Sequence, residues 1–326
     1  MVTVVNHSVA PMAAPRAEQP VAFGRSLTFW TRATLLWLMA ITVSGAVVRL
    51  TGSGLGCLDW PTCTANTELD APGFHATIEF GNRVISGLAI LPVIGAWVAA
   101  RKDSRRELTP WFVAMVVGFF GQVILGMLVV RAHLEPEFVL GHFLLSIVLI
   151  AIGVVLDYRA RISVSPESIS EAELARVIGQ LKLVRYLFLA ATAVVVVGTL
   201  VTGSGPHTGS ETTGEPVPRL GFDIREITRI HSLLGWLLVA IIVVGLVRSR
   251  GAPDRWALHE QQWMTRIGGL ALLQGGVGYL QYAIGVPVGL VAIHIALAVL
   301  LWTSICWYTL TAIYPLRQTR SESVPL

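Results

Sequence analysis

The sequence LTGSG at residues 50–54 returns as VTGSG at residues 201–205, an offset of 151 residues. A histidine repeats at nearly the same spacing, since His142 is followed 152 residues later by His294. Self-similarity at one fixed spacing indicates a duplicated structural unit. We therefore expect two copies of one unit, one in each half of the chain.

Charged residues make up only 13% of the 326-residue chain, and hydrophobic residues make up 54%. Soluble domains average about 25% charged residues, so we expect most of this surface to face lipid. The mean hydropathy of +0.67 agrees with a membrane protein. The net charge of +4 is explained by basic loops on one side of the membrane, so it indicates no nucleic-acid partner.

Eight apolar segments are long enough to cross a bilayer, since about 20 residues at a rise of 1.5 Å span the hydrocarbon core. Runs of this length form helices, which satisfy every backbone polar group inside lipid. The predicted spans are 27–48, 77–100, 110–130, 138–158, 183–203, 226–247, 263–283 and 288–312.

Each copy of the repeat holds four spans, and an even number brings both copies into the membrane from the same side. We therefore predict an all-α membrane protein of eight transmembrane helices, arranged as two tandem parallel four-helix bundles. The predicted units are a disordered tail at 1–26, an N-terminal bundle at 27–158, a linker at 159–182, a C-terminal bundle at 183–312 and a tail at 313–326.

Lysine and arginine are distributed unequally between the two sides, with 18 on the side of the termini and 6 on the other. Because positive loops stay in the cytoplasm, we expect a multi-pass protein of the cell membrane with both termini cytoplasmic. The first 25 residues lack an apolar segment followed by a cleavage site, so they are interpreted as a tail and not as a signal peptide.

Histidines lie at matched depths in the outer half of the predicted bundles. His231 and His294 form a pair in the second half, whereas the first half has His142 and, at the position of His231, Asn82. One such histidine often bonds only to a neighbouring helix, but an intramembrane ionisable residue is a functional candidate by default. Two imidazoles from facing helices are a common way to hold haem iron. A zinc site is disfavoured because no third or fourth ligand is near, although His207 lies in the adjoining external loop.

Glu79 precedes Asn82 by one helical turn and shares its face. It either pairs with the neighbouring Arg83 or handles protons for chemistry in the first bundle. Four arginines gather at the outer end and either bind haem propionates or extend to the interface; they are Arg49, Arg83, Arg225 and Arg229.

Two cysteines, Cys57 and Cys63, lie in the first external loop, where an oxidising compartment favours a disulfide. The alternatives are two free thiols or a reversible redox pair. Cys306 stands alone in the last span and is interpreted as a packing residue. Glycines crowd the third and seventh spans; they allow either close helix packing or room for a flat macrocycle.

Taken together, seven short motifs resemble the haem A synthase family, membrane enzymes that convert haem O to haem A for cytochrome oxidase. The resemblance covers about residues 27–312. It depends on RLTGSGLGC at 49–57, DWPTC at 59–63, IEFGNR at 78–83, GH at 141–142, TGSGPH at 202–207, RIH at 229–231 and IH at 293–294.

The resemblance implies a haem b cofactor in the second half, with His231 and His294 as axial ligands. It implies haem O as substrate in the first half on His142, and a catalytic role for Glu79. The reaction would use dioxygen and an electron donor that no motif identifies, and would convert a ring methyl to a formyl group by successive hydroxylations and loss of water. Haem O synthase and cytochrome oxidase assembly factors would be partners, and the external cysteine pair is a feature of one family class.

The chain departs from the family pattern at Asn82, where many members have histidine. Either His142 holds the substrate iron alone, or His75 or His133 replaces the missing ligand. A five-coordinate iron keeps a position for oxygen, whereas a bis-histidine iron does not. We therefore expect the second half to relay electrons and the first half to perform the oxidation. A b-type electron-transfer cytochrome and a transporter built on the repeat remain as alternatives.

Overall fold

The computed structural model describes residues 25–57, 59–64, 73–162, 171–210, 217–250 and 255–322, and this part of the chain is built from α-helices. A short 3-10 turn, Arg106–Leu108, precedes the fourth helix. The helices are α1 (Arg25–Leu50), α2 (Phe74–Leu88), α3 (Ile90–Lys102), α4 (Thr109–Arg131), α5 (Pro136–Arg161), α6 (Glu171–Ser204), α7 (Ile224–Ser249), α8 (Arg255–Ala283) and α9 (Val288–Glu322).

The helix ends differ from the predicted unit boundaries at two places. Helix α6 begins at Glu171, inside the segment predicted as linker, and α9 continues to Glu322, through most of the predicted C-terminal tail. Most of the predicted N-terminal tail, at 1–24, lies outside the described residues, as do 163–170 of the linker.

Seven helical segments in the described part of the chain are long and apolar enough to cross a membrane, with α2 and α3 forming one of them, Phe74–Lys102. The chain is therefore an all-helical, multi-pass membrane protein, as predicted. Helix α8 covers the seventh predicted span, 263–283, but does not reach this degree of hydropathy. Gln274, Gln281 and five glycines dilute its apolar residues.

The predicted span 77–100 is interrupted at Ala89, between α2 and α3. Pro92 explains the break, since proline lacks an N–H for the carbonyl four residues earlier and its ring collides with that carbonyl. The Ala89 N–H turns back to the carbonyl of Ser86. One turn earlier, the carbonyl of Ile85 accepts a hydrogen bond from the Trp37 indole of α1 at 3.0 Å, which fastens the broken helix to its neighbour.

Helix contacts follow chain order within each half. Helix α1 contacts α2 and α3, α3 contacts α4, and α4 contacts α5. Helix α5 also contacts α1, so the contacts of the first half form a closed set. In the second half α6 contacts α7, α7 contacts α8, α8 contacts α9, and α9 returns to α6. The two halves meet where α1 and α5 contact α9 and where α5 contacts α6.

The buried residues are concentrated toward one end of the helices, the end that carries most of the arginines. In α5 the buried residues run from Ile147 to Ala160, with only Pro136 outside this range, and in α9 they begin at Val299. The segments 137–146 and 288–298, which carry His142 and His294, are partly buried or exposed throughout. The helix ends with the histidines are therefore packed more loosely than the ends with most of the arginines.

Candidate functional site

His231 of α7 and His294 of α9 face each other across the second half of the chain. Their ring centroids are 6.3 Å apart, with an angle of 67° between the ring planes. The Nδ1 of His231 lies 3.1 Å from the carbonyl oxygen of Val194. Because a carbonyl only accepts, this contact requires a proton on Nδ1 and leaves the Nε2 lone pair available to a metal.

The spacing of this pair fits two imidazoles on opposite sides of one metal ion. A metal–imidazole bond of about 2.0–2.1 Å, with the ring centre roughly 1 Å behind the nitrogen, separates two such centroids by about 6 Å. Among the residues that the structure describes, no group of three or more His, Cys, Asp or Glu side chains could hold a metal ion. Two protein ligands without a third fit haem, whose porphyrin supplies the remaining four nitrogens.

Each imidazole of the pair lies against a glycine of the preceding helix. A Cβ on Gly198 of α6 would come within 3.0 Å of the Cε1 of His231, and a Cβ on Gly278 of α8 would come within 3.0 Å of the Cε1 of His294. A Cβ at either position would be in tight contact with the ring, which would have to shift by a few tenths of an ångström. Sequence reasoning treated the glycines of α8 as packing residues or as space for a macrocycle and missed this contact with the ligand itself.

His142 of α5 has the same kind of surroundings in the first half. A Cβ on Gly126 of α4 would lie 3.5 Å from the His142 Cε1, and Gly126 and Gly278 are 152 residues apart, as the two histidines are. The Nδ1 of His142 is buried and has no hydrogen-bond partner among the described residues. Its backbone carbonyl accepts a hydrogen bond from Gln122 at 3.1 Å, which ties α4 to α5 at this level.

Asn82 occupies the place of His231 in the first half but is engaged with α1. Its Oδ1 accepts a hydrogen bond from the Ser44 hydroxyl at 2.7 Å. Of the two histidines considered as substitutes, His75 lies 2.8 Å from the Ser53 hydroxyl through its Nδ1, and His133 is exposed after the end of α4. The first half thus offers one imidazole whose nitrogen is unused, and not a facing pair.

The buried Glu79 forms an ion pair with the partly buried Arg83 at 2.5 Å. The second carboxylate oxygen of Glu79 accepts the backbone N–H of Cys57 at 2.9 Å. Arg83 donates in addition to the carbonyls of Asp59 at 2.9 Å and Thr62 at 2.7 Å. The ion pair that the sequence left as one of two alternatives is therefore present, and it holds the loop between α1 and α2 against α2.

That loop is closed by a disulfide between Cys57 and Cys63, as the sequence predicted, with the two Cα atoms 4.8 Å apart. Cys306 is a buried free thiol. A Cβ on Gly56 would collide with the backbone of His75 at the start of α2, so the loop can approach that helix only because residue 56 is glycine. The Thr62 hydroxyl and the Thr64 N–H hold the pKa of the exposed Asp59 carboxyl below its usual range.

The segments that carry the two TGSG motifs contact each other. Arg49 donates to the carbonyl of His207 at 3.0 Å and to that of Thr202 at 3.1 Å. The N–H of Gly54 donates to the carbonyl of Gly209 at 2.8 Å. Arg49 thus joins the two halves through backbone carbonyls.

Arg225, Arg229 and His207, which the sequence predicts at the same membrane end, differ in their surroundings. Arg225 and Arg229 are exposed at the start of α7, and a shared role of the four arginines in binding propionates stays a prediction. The Nε2 of His207 lies 2.8 Å from the carbonyl of Val286, in the turn before α9. His207 therefore braces the turn that leads to His294.

Comparisons with known proteins show the family to which the chain belongs. Residues 28–71 and 64–306 match the family model COX15-CtaA, described as cytochrome oxidase assembly protein. The chain is 34% identical over 134 residues to Heme A synthase of Lysinibacillus sphaericus, covering 38% of this chain and 42% of that protein. It is 24% identical over 301 residues to Heme A synthase of Halalkalibacterium halodurans, covering 87% of this chain and 96% of that protein.

A third similarity is shorter. Over 87 residues the chain is 39% identical to Protoheme IX farnesyltransferase of Thermus thermophilus, covering 26% of this chain and 14% of that protein. The first of these three matches likewise covers less than half of the relative's own length.

Proposed function

The chain belongs to the COX15-CtaA family of cytochrome oxidase assembly proteins, and from this premise we propose that it is a haem A synthase. It would oxidise a ring methyl of haem O to a formyl group for the maturation of cytochrome oxidase. The proposal rests on one observation: two sites at matching positions of the repeat carry different side chains. The second half pairs His231 with His294 at 6.3 Å, whereas in the first half His142 matches His294 and Asn82 turns to Ser44.

The second half would hold the resident cofactor, haem b, on His231 and His294. Gly198 and Gly278 would set the positions of the two rings, and the Val194 carbonyl would fix the tautomer of His231. Haem b held by these two histidines would supply one-electron transfer. The loose packing of the outer helix ends supports this assignment, since a macrocycle needs room between them.

The first half would hold the substrate, haem O, on His142. Because the Asn82 amide is a poor iron ligand and is bonded to Ser44, the opposite face of the substrate stays open for dioxygen. Each hydroxylation consumes one dioxygen, two electrons and two protons, and releases one water. The second hydroxylation gives a hydrate of the formyl group, which loses water to give haem A.

Glu79 would supply protons for this chemistry at the outer end of the first half. Among the described residues, Arg83 donates a hydrogen bond to one carboxylate oxygen of Glu79, and the Cys57 N–H donates to the other. A carboxylate oxygen has a second lone pair, so both oxygens retain acceptor capacity for water or for a donor on the substrate. Arg83 keeps the carboxylate in place while it also holds the disulfide loop.

The membrane architecture we propose has eight crossings in two tandem parallel four-helix bundles, with 27–158 as the substrate half and 183–312 as the cofactor half. The two closed sets of helix contacts support it, because α8 lies between α7 and α9 as the fourth member of its set. By the distribution of lysine and arginine, both termini would be cytoplasmic in the cell membrane.

The partners we propose are haem O, dioxygen, an electron donor, haem O synthase and assembly factors of cytochrome oxidase. The similarity to a protein named Protoheme IX farnesyltransferase supports the supply of prenylated haem by an enzyme of that kind. A prenylated haem is apolar enough to arrive laterally from the bilayer.

The test is haem extraction after co-expression with a haem O synthase, followed by chromatography and mass spectrometry. We expect haem A, or its hydroxymethyl precursor, from cells with the intact chain. His142→Ala should abolish both products while the purified protein keeps a b-type spectrum. Recovery of haem B and haem O alone from the intact chain would instead indicate an electron-transfer cytochrome, and absence of any haem would favour a transporter.

A further inference from the structure

A groove of about 330 Å³ opens between α1 and α5 at the membrane end that carries most of the arginines. It lies at the opposite end of these helices from Asn82 and His142. Three of its lining residues are Arg25 and Arg32 of α1 and Arg161 of α5, and its apolar wall includes Phe29 and Leu36. The haem sites described above do not use this groove.

A single buried carboxylate holds two of these arginines side by side. Asp157 of α5 is fully buried. It accepts hydrogen bonds from the Nε of Arg32 at 2.8 Å, from the Nε and Nη2 of Arg161 at 3.0 and 2.8 Å, and from the Thr31 hydroxyl at 3.3 Å. Arg32 also lies over the ring of Trp307 at 5.6 Å. The two guanidinium groups are therefore fixed before any ligand arrives, which lowers the entropic cost of binding an anion.

Among the described residues that line or contact the groove, three arginines accompany one carboxylate, that of Asp157, which leaves an excess of two positive charges there. The side chains of Arg32 and Arg161 stay 45% and 37% exposed although both are bonded to Asp157. A guanidinium has five N–H donors, and the exposed donors of this pair are open to an anion.

The apolar wall continues from the arginines toward the membrane centre. Arg25, Phe29, Arg32 and Leu36 are spaced by four, three and four residues and so share one face of α1. Phe29 and Leu36 are 61% and 56% exposed. A ligand in this groove would therefore meet positive charge at one end and an apolar helix face below it.

We propose that this groove binds an anionic phospholipid, with its phosphate against Arg25, Arg32 and Arg161 and an acyl chain along Phe29 and Leu36. Basic pockets between transmembrane helices recognise anionic headgroups in this way. A free phosphate would use the arginines but not the apolar wall. The lipid uses both, and it would brace α1 against α5 at the end remote from the haems.

The experiment is a native mass-spectrometry titration of the full chain in detergent with phosphatidylglycerol, and with phosphatidylcholine for comparison. Arg25→Gln is the informative variant, because Arg25 lines the groove while Asp157 keeps both of its own arginines. Loss of one arginine near the headgroup should weaken phosphatidylglycerol binding about fivefold. The control is Arg106→Gln, an exposed arginine at the same membrane end but outside the groove, which should leave binding unchanged.

Three results would overturn the proposal. They are equal binding of the two lipids by the intact chain, equal loss in the Arg25→Gln and Arg106→Gln variants, and displacement of phosphatidylglycerol by an excess of inorganic phosphate. Phosphatidylglycerol binding that resists inorganic phosphate and weakens only with Arg25→Gln would support it. This proposal is independent of the haem chemistry, because none of these readouts involves haem.

Discussion

The hydroxyl of Ser44 donates a hydrogen bond to the Oδ1 of Asn82 over 2.7 Å, at the one position where the first half lacks the imidazole of the second. This contact turns the amide toward α1. The sequence repeat breaks at Asn82, and the structure shows that the side chain there already has a partner within the protein.

Replacing Asn82 by histidine should make the site in the first half resemble the histidine pair of the second half. In an Asn82→His variant, we expect a second imidazole opposite His142 and tighter retention of the substrate haem. The purified protein, co-expressed with a haem O synthase, should then carry about two low-spin haems per chain instead of one. Pyridine haemochrome analysis and electron paramagnetic resonance measure both quantities. An unchanged haem content would show that Asn82 does not face the substrate.

The glycines behind the histidines should be intolerant of a single methyl group. In Gly278→Ala, the new Cβ would come within 3.0 Å of the His294 Cε1, so the ring must move and the resident haem should fall by about tenfold, which corresponds to 1.4 kcal/mol of binding free energy. Gly275→Ala is the matched control on the same helix, because a Cβ there meets nothing within 4 Å and alanine favours the helix. Equal haem contents in the two variants would contradict this positioning role.

Glu79→Gln should lower conversion of haem O by at least about 100-fold, as expected for loss of a proton-transfer group. The amide keeps the size of the side chain and one carbonyl acceptor, so the b-type spectrum of the second half should not change. Product yield in co-expressing cells provides the measurement. The control is Glu137→Gln, an exposed carboxylate in the first turn of α5.

A purely structural role for Glu79 predicts a different pattern. Arg83→Gln would then lower conversion as much as Glu79→Gln does, because each change removes the same ion pair from the loop. A smaller effect of the Arg83 change, with the two variants melting at similar temperatures, would favour proton handling by Glu79.

The disulfide should contribute stability without being required for haem binding. Replacing both Cys57 and Cys63 by serine frees a short loop, and the expected loss is roughly 2 kcal/mol of unfolding free energy from chain entropy. Glu79 and Arg83 still hold the loop at the Cys57 N–H and at two carbonyls. Thermal melting in detergent should therefore shift downward while the b-type spectrum persists. Loss of the haem from this variant would show that the loop reaches the cofactor half.

Much of the architecture could be predicted because it depends on apolar run length and on repeated residues. The helical class, the membrane location and the cysteine pairing all came from such patterns. The break at Ala89 was also predictable in principle, since Pro92 lies inside the predicted span.

Other features depend on contacts that a single sequence does not display. The segment 171–182 has the composition of a linker, yet it is helical in the structure, and there Gln180 is buried and donates to the Tyr308 hydroxyl at 3.0 Å. The Nε and Nη2 of Arg49 meet the carbonyls of His207 and Thr202, whereas its Nη1 is buried without a partner among the described residues, so propionate binding by Arg49 stays a prediction. The glycine at 198 is visible in the sequence, whereas its contact with His231 follows only from the packing of α6 on α7.

The central claim is that two matched sites have unequal roles, a retained haem on His231 and His294 and a substrate on His142. The most direct measurement is the haem content and absorption spectrum of the purified chain without haem O, compared across three alanine variants. We expect one low-spin b-type haem in the intact chain, its loss in His231→Ala and in His294→Ala, and its full retention in His142→Ala. Retention of that haem in both second-half variants, or its loss in His142→Ala, would contradict the account.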